Sequence, residues 1–262
     1  MKLLGFSGKK DSGKDTLVRY IVGRELQKVG KVIKFEVSEN TNGQLLVDVY
    51  NGVGENEFDI QQGILNLYMT DKETLDFFKE YCYPYVRVFG FADKGKTFLN
   101  EFFGISREKM YGTNKEKDEL SSFNWEQLPA SLPKGEVKTI GRVVKKTGPM
   151  TYREVMEEWL QIILRGVDEK CHINATFSEI NQSNTKFAII KDVRNENEID
   201  AIQSVGGKVI RLLKDSHGST HEGEISLDNY DPTGYDYVLN NMGQTLEETI
   251  KELEKVLTKW GW

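Results

Sequence analysis

A mostly parallel α/β sheet flanked by helices is the fold this sequence predicts, on three observations. Lys2 to Ser7 is a short apolar run that passes through a glycine-rich turn into a stretch from Thr16 to Val29 with helical apolar spacing, stopped by Gly30. From Lys186 onward strands and helices alternate, the order that builds a parallel sheet. The third observation is core material: 262 residues, 38% hydrophobic and 11% aromatic, fill one large domain or two small ones and exclude a disordered chain.

Between the first helix and the next core strand the pattern changes. Lys31 to Val37 and Gln44 to Tyr50 are rich in β-formers and flank an Asn42-Gly43 turn, which predicts an antiparallel hairpin. Thr70-Asp71-Lys72-Glu73 has capping-box spacing ahead of Leu75, Phe77, Phe78 and Tyr81, so a short helix follows. Residues 31–84 therefore read as an elaboration inserted into a single domain spanning 1–262. Tyr85 to Phe91 is the second core strand, and Lys94 to Phe103 a helix closed by Gly104.

Gly112 to Pro149 holds three prolines, many charges and few apolar repeats, which predicts an irregular surface segment; residues 112–150 are a candidate lid. Thr151-Tyr152-Arg153-Glu154 repeats the capping-box spacing at the head of a helix carrying Val155, Met156, Trp159, Leu160 and Ile163. A further helix runs from Asp168 to about Ile180. Strand Phe187 to Ile190, helix Glu196 to Val205 before Gly206-Gly207, strands Lys208 to Leu213 and Tyr237 to Leu239, and helix Leu246 to Lys259 complete the chain.

Composition narrows the function. With 35 Lys+Arg against 41 Asp+Glu the net charge is −6, which argues against coating nucleic acid and allows only local basic clusters. Cys82 and Cys171 stand alone, outside any CxxC spacing, as suits a reducing compartment and neither a disulfide framework nor a metal site. No apolar run approaches the roughly eighteen residues a membrane span needs, and residues 1–8 are too short for a signal-peptide core. A cytoplasmic protein without a membrane partner is the expectation.

Gly8-Lys9-Lys10-Asp11-Ser12-Gly13-Lys14 matches the G-x-x-x-x-G-K part of the phosphate-binding loop, and it lies between a strand and a helix as that motif requires. Backbone N–H groups and the helix N-terminus cradle a polyphosphate there, and Lys14 reaches its outer phosphates, where a fixed ammonium favours phosphoryl transfer. The position that usually supplies a magnesium-binding hydroxyl holds Asp15, with Thr16 next. A metal is therefore held by the carboxylate, through water or by the shifted hydroxyl, or Asp15 merely complements the helix dipole.

The second signal is the strand Phe187 to Ile190 running on into Lys191-Asp192-Val193-Arg194. A period of two puts Asp192 and Arg194 on one side at the carboxyl end of the strand, where open α/β sheets bind ligands. Asp192 would orient magnesium or a sugar hydroxyl and Arg194 hold phosphate; a surface ion pair is the plainer alternative. His217 and His221 beside Glu222 and Glu224 read as a polar loop rather than a metal cluster, and Arg142, Lys145 and Lys146 as a solvated basic run that could close over a ligand. Transfer between phosphates asks for positioning, magnesium and cations, not for a strong base, so lysines and arginines carry the candidate site.

An ordered set of motifs goes further. The Ser7 to Thr16 stretch ending Ser-Gly-Lys-Asp-Thr, Phe91-Ala92-Asp93 with Lys96, Met110-Tyr111-Gly112-Thr113, Thr151-Tyr152-Arg153-Glu154, Asp192-Val193-Arg194-Asn195-Glu196-Asn197-Glu198 with Gly206-Gly207, and the late Asn240-Asn241 resemble the phage-type deoxynucleoside monophosphate kinases over residues 1–30 and 86–259. The resemblance implies a P-loop kinase fold and transfer of the ATP γ-phosphate to a deoxynucleoside monophosphate, with Mg2+ as cofactor, in the cytoplasm, that of the host if phage-encoded. It implies ATP at Gly8, Lys10, Asp11, Ser12, Gly13, Lys14, Asp15 and Thr16, and acceptor contacts at Lys96, Arg153, Arg165, Asp192 and Arg194. Lys14, Arg153 and Arg194 are the candidate catalytic residues, and a homodimer is left open. Two departures stand out: Leu160-Gln161 where the family has Gly-Thr, and His172 in place of a tryptophan. Kinases for dephospho-coenzyme A or phosphomevalonate are the enzymatic rivals. A GTPase-type switch would need DxxG before NKxD, whereas Asp215-Ser216-His217-Gly218 follows Asn114-Lys115-Glu116-Lys117, which lacks the aspartate.

Overall fold

The computed structural model describes residues 1–50, 60–67, 72–128, 136–139, 142–213, 227 and 230–262, with the backbone alone at 72, 73, 136–139 and 142–145. In chain order, β1 (Lys2–Ser7) leads into α1 (Lys14–Lys28), then β2 (Lys34–Glu36), β3 (Leu46–Tyr50) and β4 (Ile60–Ile64). α2 (Lys72–Phe77) continues as a π-helical stretch over Phe78–Cys82 before β5 (Val86–Phe89) and α3 (Asp93–Phe103). Next come α4 (Arg107–Tyr111), α5 (Asn114–Lys117), β6 (Leu120–Asn124), β7 (Glu136–Thr139), β8 (Arg142–Lys145) and β9 (Pro149–Thr151). α6 (Tyr152–Glu157) passes through a π-helical stretch, Glu158–Ile163, into α7 (Leu164–Val167), followed by α8 (Cys171–Ser183). The alternating end is β10 (Phe187–Val193), α9 (Glu196–Ser204), β11 (Lys208–Leu212), β12 (Tyr237–Leu239) and α10 (Leu246–Lys259).

Two compact units result: Met1–Phe91 with Thr176–Trp262, and Ala92–Ala175. The first holds a five-stranded parallel sheet in the order β12-β11-β1-β10-β5. Its inner strands are near-continuous apolar runs because helices cover both faces of a parallel sheet; Leu3 to Ser7, Phe187 to Ile190 and Val209 to Leu212 are all buried. Gly5 lets α9 come close, since a Cβ there would lie 2.7 Å from Ile202 Cδ1. Leu4 and Phe6 pack with Leu17, Ile21 and Leu26 of α1 and with Leu253 and Leu257 of α10.

The expected hairpin is present as β2 and β3, paired antiparallel about the Asn42-Gly43 turn, both of whose residues have positive φ. A third strand, β4, extends it and has no signature in the sequence: Ile60-Gln61-Gln62-Gly63-Ile64 is exposed along its whole length and carries no buried face to pattern. The small sheet packs on α1. A Cβ on Gly23 would lie 2.7 Å from Leu45 Cδ1, and Val32, Val37, Leu45, Val47, Phe78 and Cys82 share one core with Leu17, Ile21 and Leu26. The capping box expected at Thr70 to Glu73 begins outside the described residues.

The second unit has its own core of Leu99, Ile105, Met110, Trp125, Met150, Val155 and Leu160. At Thr151 the expected capping box forms: Thr151 N donates to Glu154 Oε2 at 2.8 Å and Glu154 N to Thr151 Oγ1 at 3.2 Å. Residues 112–150, expected to be irregular, instead contain α5 and two antiparallel strand pairs, β6 with β9 and β7 with β8. These strands have three to five residues each, too few for a repeating apolar pattern to register in the sequence. Among the described residues no helix is long and apolar enough to cross a membrane.

Replacing residues 38–84 by a short linker removes Leu45, Val47, Phe78 and Cys82 from the core around α1. At about 1.5–3 kcal/mol for each large apolar side chain, that loss is comparable to the whole stability of an ordinary domain, about 5–15 kcal/mol. The shortened chain is expected to show no cooperative thermal unfolding by circular dichroism; a wild-type transition would show the segment to be a dispensable appendage.

Candidate functional site

The loop from Gly8 to Gly13 leaves β1 at the carboxyl edge of the sheet. Gly8, at φ +154°, could carry no side chain: a Cβ would lie 2.7 Å from Ser12 Oγ and 3.2 Å from the Leu212 carbonyl. Asp11 is left-handed at φ 59°, and Ser12 N closes a turn on the Lys9 carbonyl at 3.2 Å. Gly13 begins α1 in the left-handed region with no side-chain cap, so the helix N-terminus meets the loop as bare backbone, the arrangement that suits an anion. Ser12 is wholly buried and its Oγ has no hydrogen-bond partner among the described residues. Lys14 Nζ donates to the carbonyls of Gly8 and Lys9, each at 2.6 Å, folding the ammonium over its own loop. Lys10 and Asp11 lie exposed on the loop's outside.

Asp192 and Arg194 come off the adjacent strand as a pair. Asp192 Oδ2 accepts from Arg194 Nε at 2.8 Å, and the Arg194 second nitrogen lies 2.7 Å away. Burial works against the Asp192 charge, but Arg194, then Lys14 and Lys191, outweigh it and hold the carboxyl below its usual range. Lys14, Asp192 and Arg194 thus share one electrostatic neighbourhood. The turn that presents them is built by Glu198, 1% exposed, whose carboxylate accepts from Arg194 N at 2.7 Å and Asn195 N at 3.1 Å. Asn195-x-x-Glu198 is capping-box spacing, so this residue was detectable in the sequence. Ser7 and Arg211 form a second buried contact beside the loop, Arg211 donating to Ser7 Oγ at 3.0 Å; no local pattern announces it, because 204 positions separate them.

The two metal candidates differ in surroundings. Asp15 is exposed in the first turn of α1. Thr16 faces the β2–β3 hairpin, where a Cβ on Gly43 would lie 2.9 Å from its Oγ1, and Arg19 one turn on donates to the Gly43 carbonyl at 3.1 Å. Among the described residues no three His, Cys, Asp or Glu side chains gather as a metal-binding group. The oxygens present would suit a hard ion that keeps water and phosphate ligands, as magnesium does. His217, His221, Glu222 and Glu224 lie outside the described residues.

Lys96, Arg153 and Arg165 belong to the second unit. Lys96 Nζ sits 4.2 Å from the Tyr111 ring centre and Arg107 lies 5.1 Å from the same ring, while Tyr111 donates its hydroxyl to Asp93 at 3.2 Å. Arg153 is held by Asp118 at 2.7 Å and Asn114 at 3.0 Å. Arg165 lies in α7, beyond the π-helical stretch, so the 3.6-residue period that separates it from Arg153 by a third of a turn does not apply across the interruption. His172 is 3% exposed, its Nε2 2.7 Å from the Leu160 carbonyl, and works as packing. Trp159 packs at a tilt in an aromatic cluster with Phe98 and Phe103. Lys146 pairs with Glu154 at 2.6 Å; the side chains of Arg142 and Lys145 lie outside the described residues.

A glycine-built loop at the carboxyl end of the central parallel strand, opening into a bare helix N-terminus beside an Asp–Arg pair, defines the class: a P-loop kinase fold. The sequence profile of the deoxynucleotide monophosphate kinases matches residues 2–253, and the chain belongs to that family of phosphotransferases. A protein of Acanthamoeba polyphaga mimivirus, provisionally named a deoxynucleotide monophosphate kinase, is 27% identical over 169 residues, covering 62% of this chain and 78% of the relative.

Gly43→Ala places a Cβ at a left-handed position and against Thr16, so it is expected to cost about 1–2 kcal/mol, read as a lower urea midpoint. An unchanged midpoint would show that the turn is not pinned to α1. For Asp192, a carboxyl that titrates lower folded than unfolded contributes in full above its ordinary value near 3.8 and loses that contribution as pH falls through the lower folded one. The stability difference between wild type and Asp192→Asn should therefore stay constant from about pH 8 to pH 5 and shrink below about pH 4. Denaturant titrations across that range measure it, and a difference that persists at acid pH would contradict the assignment.

Proposed function

We propose that the protein transfers the γ-phosphate of ATP to a deoxynucleoside 5′-monophosphate, releasing the deoxynucleoside diphosphate and ADP. The observation that carries this reading is the loop itself, in which glycines with positive φ, an uncapped helix N-terminus and the Lys14 ammonium converge on one point. The triphosphate of ATP lies along the backbone of Gly8, Lys10, Asp11, Ser12, Gly13, Lys14, Asp15 and Thr16. Lys14 exchanges the carbonyls of Gly8 and Lys9 for the outer phosphates and stabilises charge as it moves between oxygens.

On the acceptor side the monophosphate oxygen is already anionic, so the chain supplies orientation and positive charge rather than a base. Lys96, Arg153 and Arg165, with Asp192 and Arg194, are the groups for it. Arg153 would give up Asp118 and Asn114 for the acceptor phosphate, and Arg194 would bridge toward the transferred group while Asp192 keeps it aligned. Asp15 or Thr16 would hold Mg2+, which screens the phosphate charges when bound. The net charge of −6 is no obstacle, because these cations act locally.

A coupled assay of ADP release with Mg-ATP and a panel of deoxynucleoside monophosphates, ribonucleotides, dephospho-coenzyme A and phosphomevalonate tests the reading. Turnover that depends on a deoxynucleoside monophosphate is expected, and Lys14→Ala should reduce it at least about a hundredfold. No acceptor-dependent turnover above ATP hydrolysis, or preference for one of the other acceptors, would refute the substrate assignment; wild-type turnover in Lys14→Ala would refute the role of the loop.

A further inference from the structure

The segment between β12 and α10 contributes nothing to the chemistry above, yet one of its side chains reaches the phosphate loop. Asn241, 7% exposed, donates from Nδ2 to the Ser12 carbonyl at 2.9 Å, across 229 positions of sequence. A carbonyl only accepts, so the NH2 end of the amide must face Ser12 and Oδ1 must face elsewhere. That Oδ1 is buried without a hydrogen-bond partner among the described residues, as is Ser12 Oγ. The turn is braced in its own right: Met242 N donates to Asn240 Oδ1 at 3.2 Å, and Thr245 and Glu248 form the capping box that starts α10.

The Ser12–Gly13 peptide is trans, so its carbonyl and its N–H point in opposite directions. Tying the Ser12 carbonyl to Asn241 turns the Gly13 N–H away from Asn241 and holds Gly13 at φ 95°, ψ 5°, the left-handed residue from which α1 starts. We infer that Asn241 is a positioning residue of the phosphate loop, setting the Ser12–Gly13 peptide plane so that the Gly13 N–H and the helix N-terminus behind it meet the phosphates of the nucleoside triphosphate. This rests on reading the loop as the triphosphate site. Ser12 Oγ and Asn241 Oδ1 are both buried without a hydrogen-bond partner among the described residues, so the bond to the Ser12 carbonyl is what orients the Asn241 amide against the loop.

Asn241→Asp, nearly the same shape but without a donor when ionised, and Asn241→Ala test the inference together. ATP is titrated into each protein by calorimetry, KM is measured for ATP and for the deoxynucleoside monophosphate, and ligand-free melting is recorded. Both variants are expected to bind ATP about tenfold more weakly, the scale of one lost hydrogen bond, with KM for ATP rising in step. KM for the monophosphate should hold within about twofold and melting within about 4 °C. Wild-type ATP affinity in both variants would overturn the inference, and so would equal losses for both substrates together with a collapsed melting temperature. Wild-type protein that takes up no ATP would overturn the donor reading beneath it, an outcome that needs no variant to recognise.

Discussion

The parallel pairing of β1 with β10 on one side and β11 on the other is the constraint on which the first unit depends. Ser7 is in register with Val193 and with Arg211, so the chain leaves the sheet at one point flanked by the ends of two neighbouring strands. Parallel strands send their carboxyl ends to the same edge, and that edge is where the loop, the Asp192–Arg194 pair and Arg211 meet. An antiparallel neighbour would have presented its amino end there. The burial of β1 on both faces makes this placement rigid, and a rigid base lets a loop of unusual backbone angles persist.

Three of the candidate cations are engaged with groups of the chain itself. Lys14 rests on two carbonyls, Arg194 on Asp192 and Arg153 on Asp118 and Asn114. Such contacts order long side chains before any ligand arrives, and for Lys14 a charged oxyanion would offer a stronger hydrogen bond than the neutral carbonyls it rests on. The acidic excess of the whole chain therefore says little about the site. Local geometry, not net charge, decides what these groups meet.

The three-stranded sheet of β2, β3 and β4 belongs to the packing around α1. Its turn lies against Thr16 and Arg19, in the first turns of the helix that the phosphate loop opens, and its apolar face completes the packing of α1. The left-handed backbone at Asn42 and Gly43 suits their residue types, and the turn is fastened by the hydrogen bonds of Ser38, Thr41 and Gln44. The sheet is thus built into the same core as α1, and Thr16 lies where its turn meets that helix.

Several features were legible in the residues alone: the strand, glycine loop and helix at the start, the alternation after Lys186, and the capping boxes at Thr151 and Asn195. Each is written in a few adjacent positions, because backbone propensity, capping and apolar periodicity act within about one or two turns of chain. The exposed strand β4, the short strands between Gly112 and Pro149 and the π-helical stretches were not legible, since none has a periodic buried face long enough to register. Asn241 on Ser12, Arg211 on Ser7 and Gly43 on Thr16 were decided only in the tertiary structure. They join residues far apart in the chain through directional contacts that form once the sheet has fixed its register, and no local pattern of residue types encodes where such a bond will close.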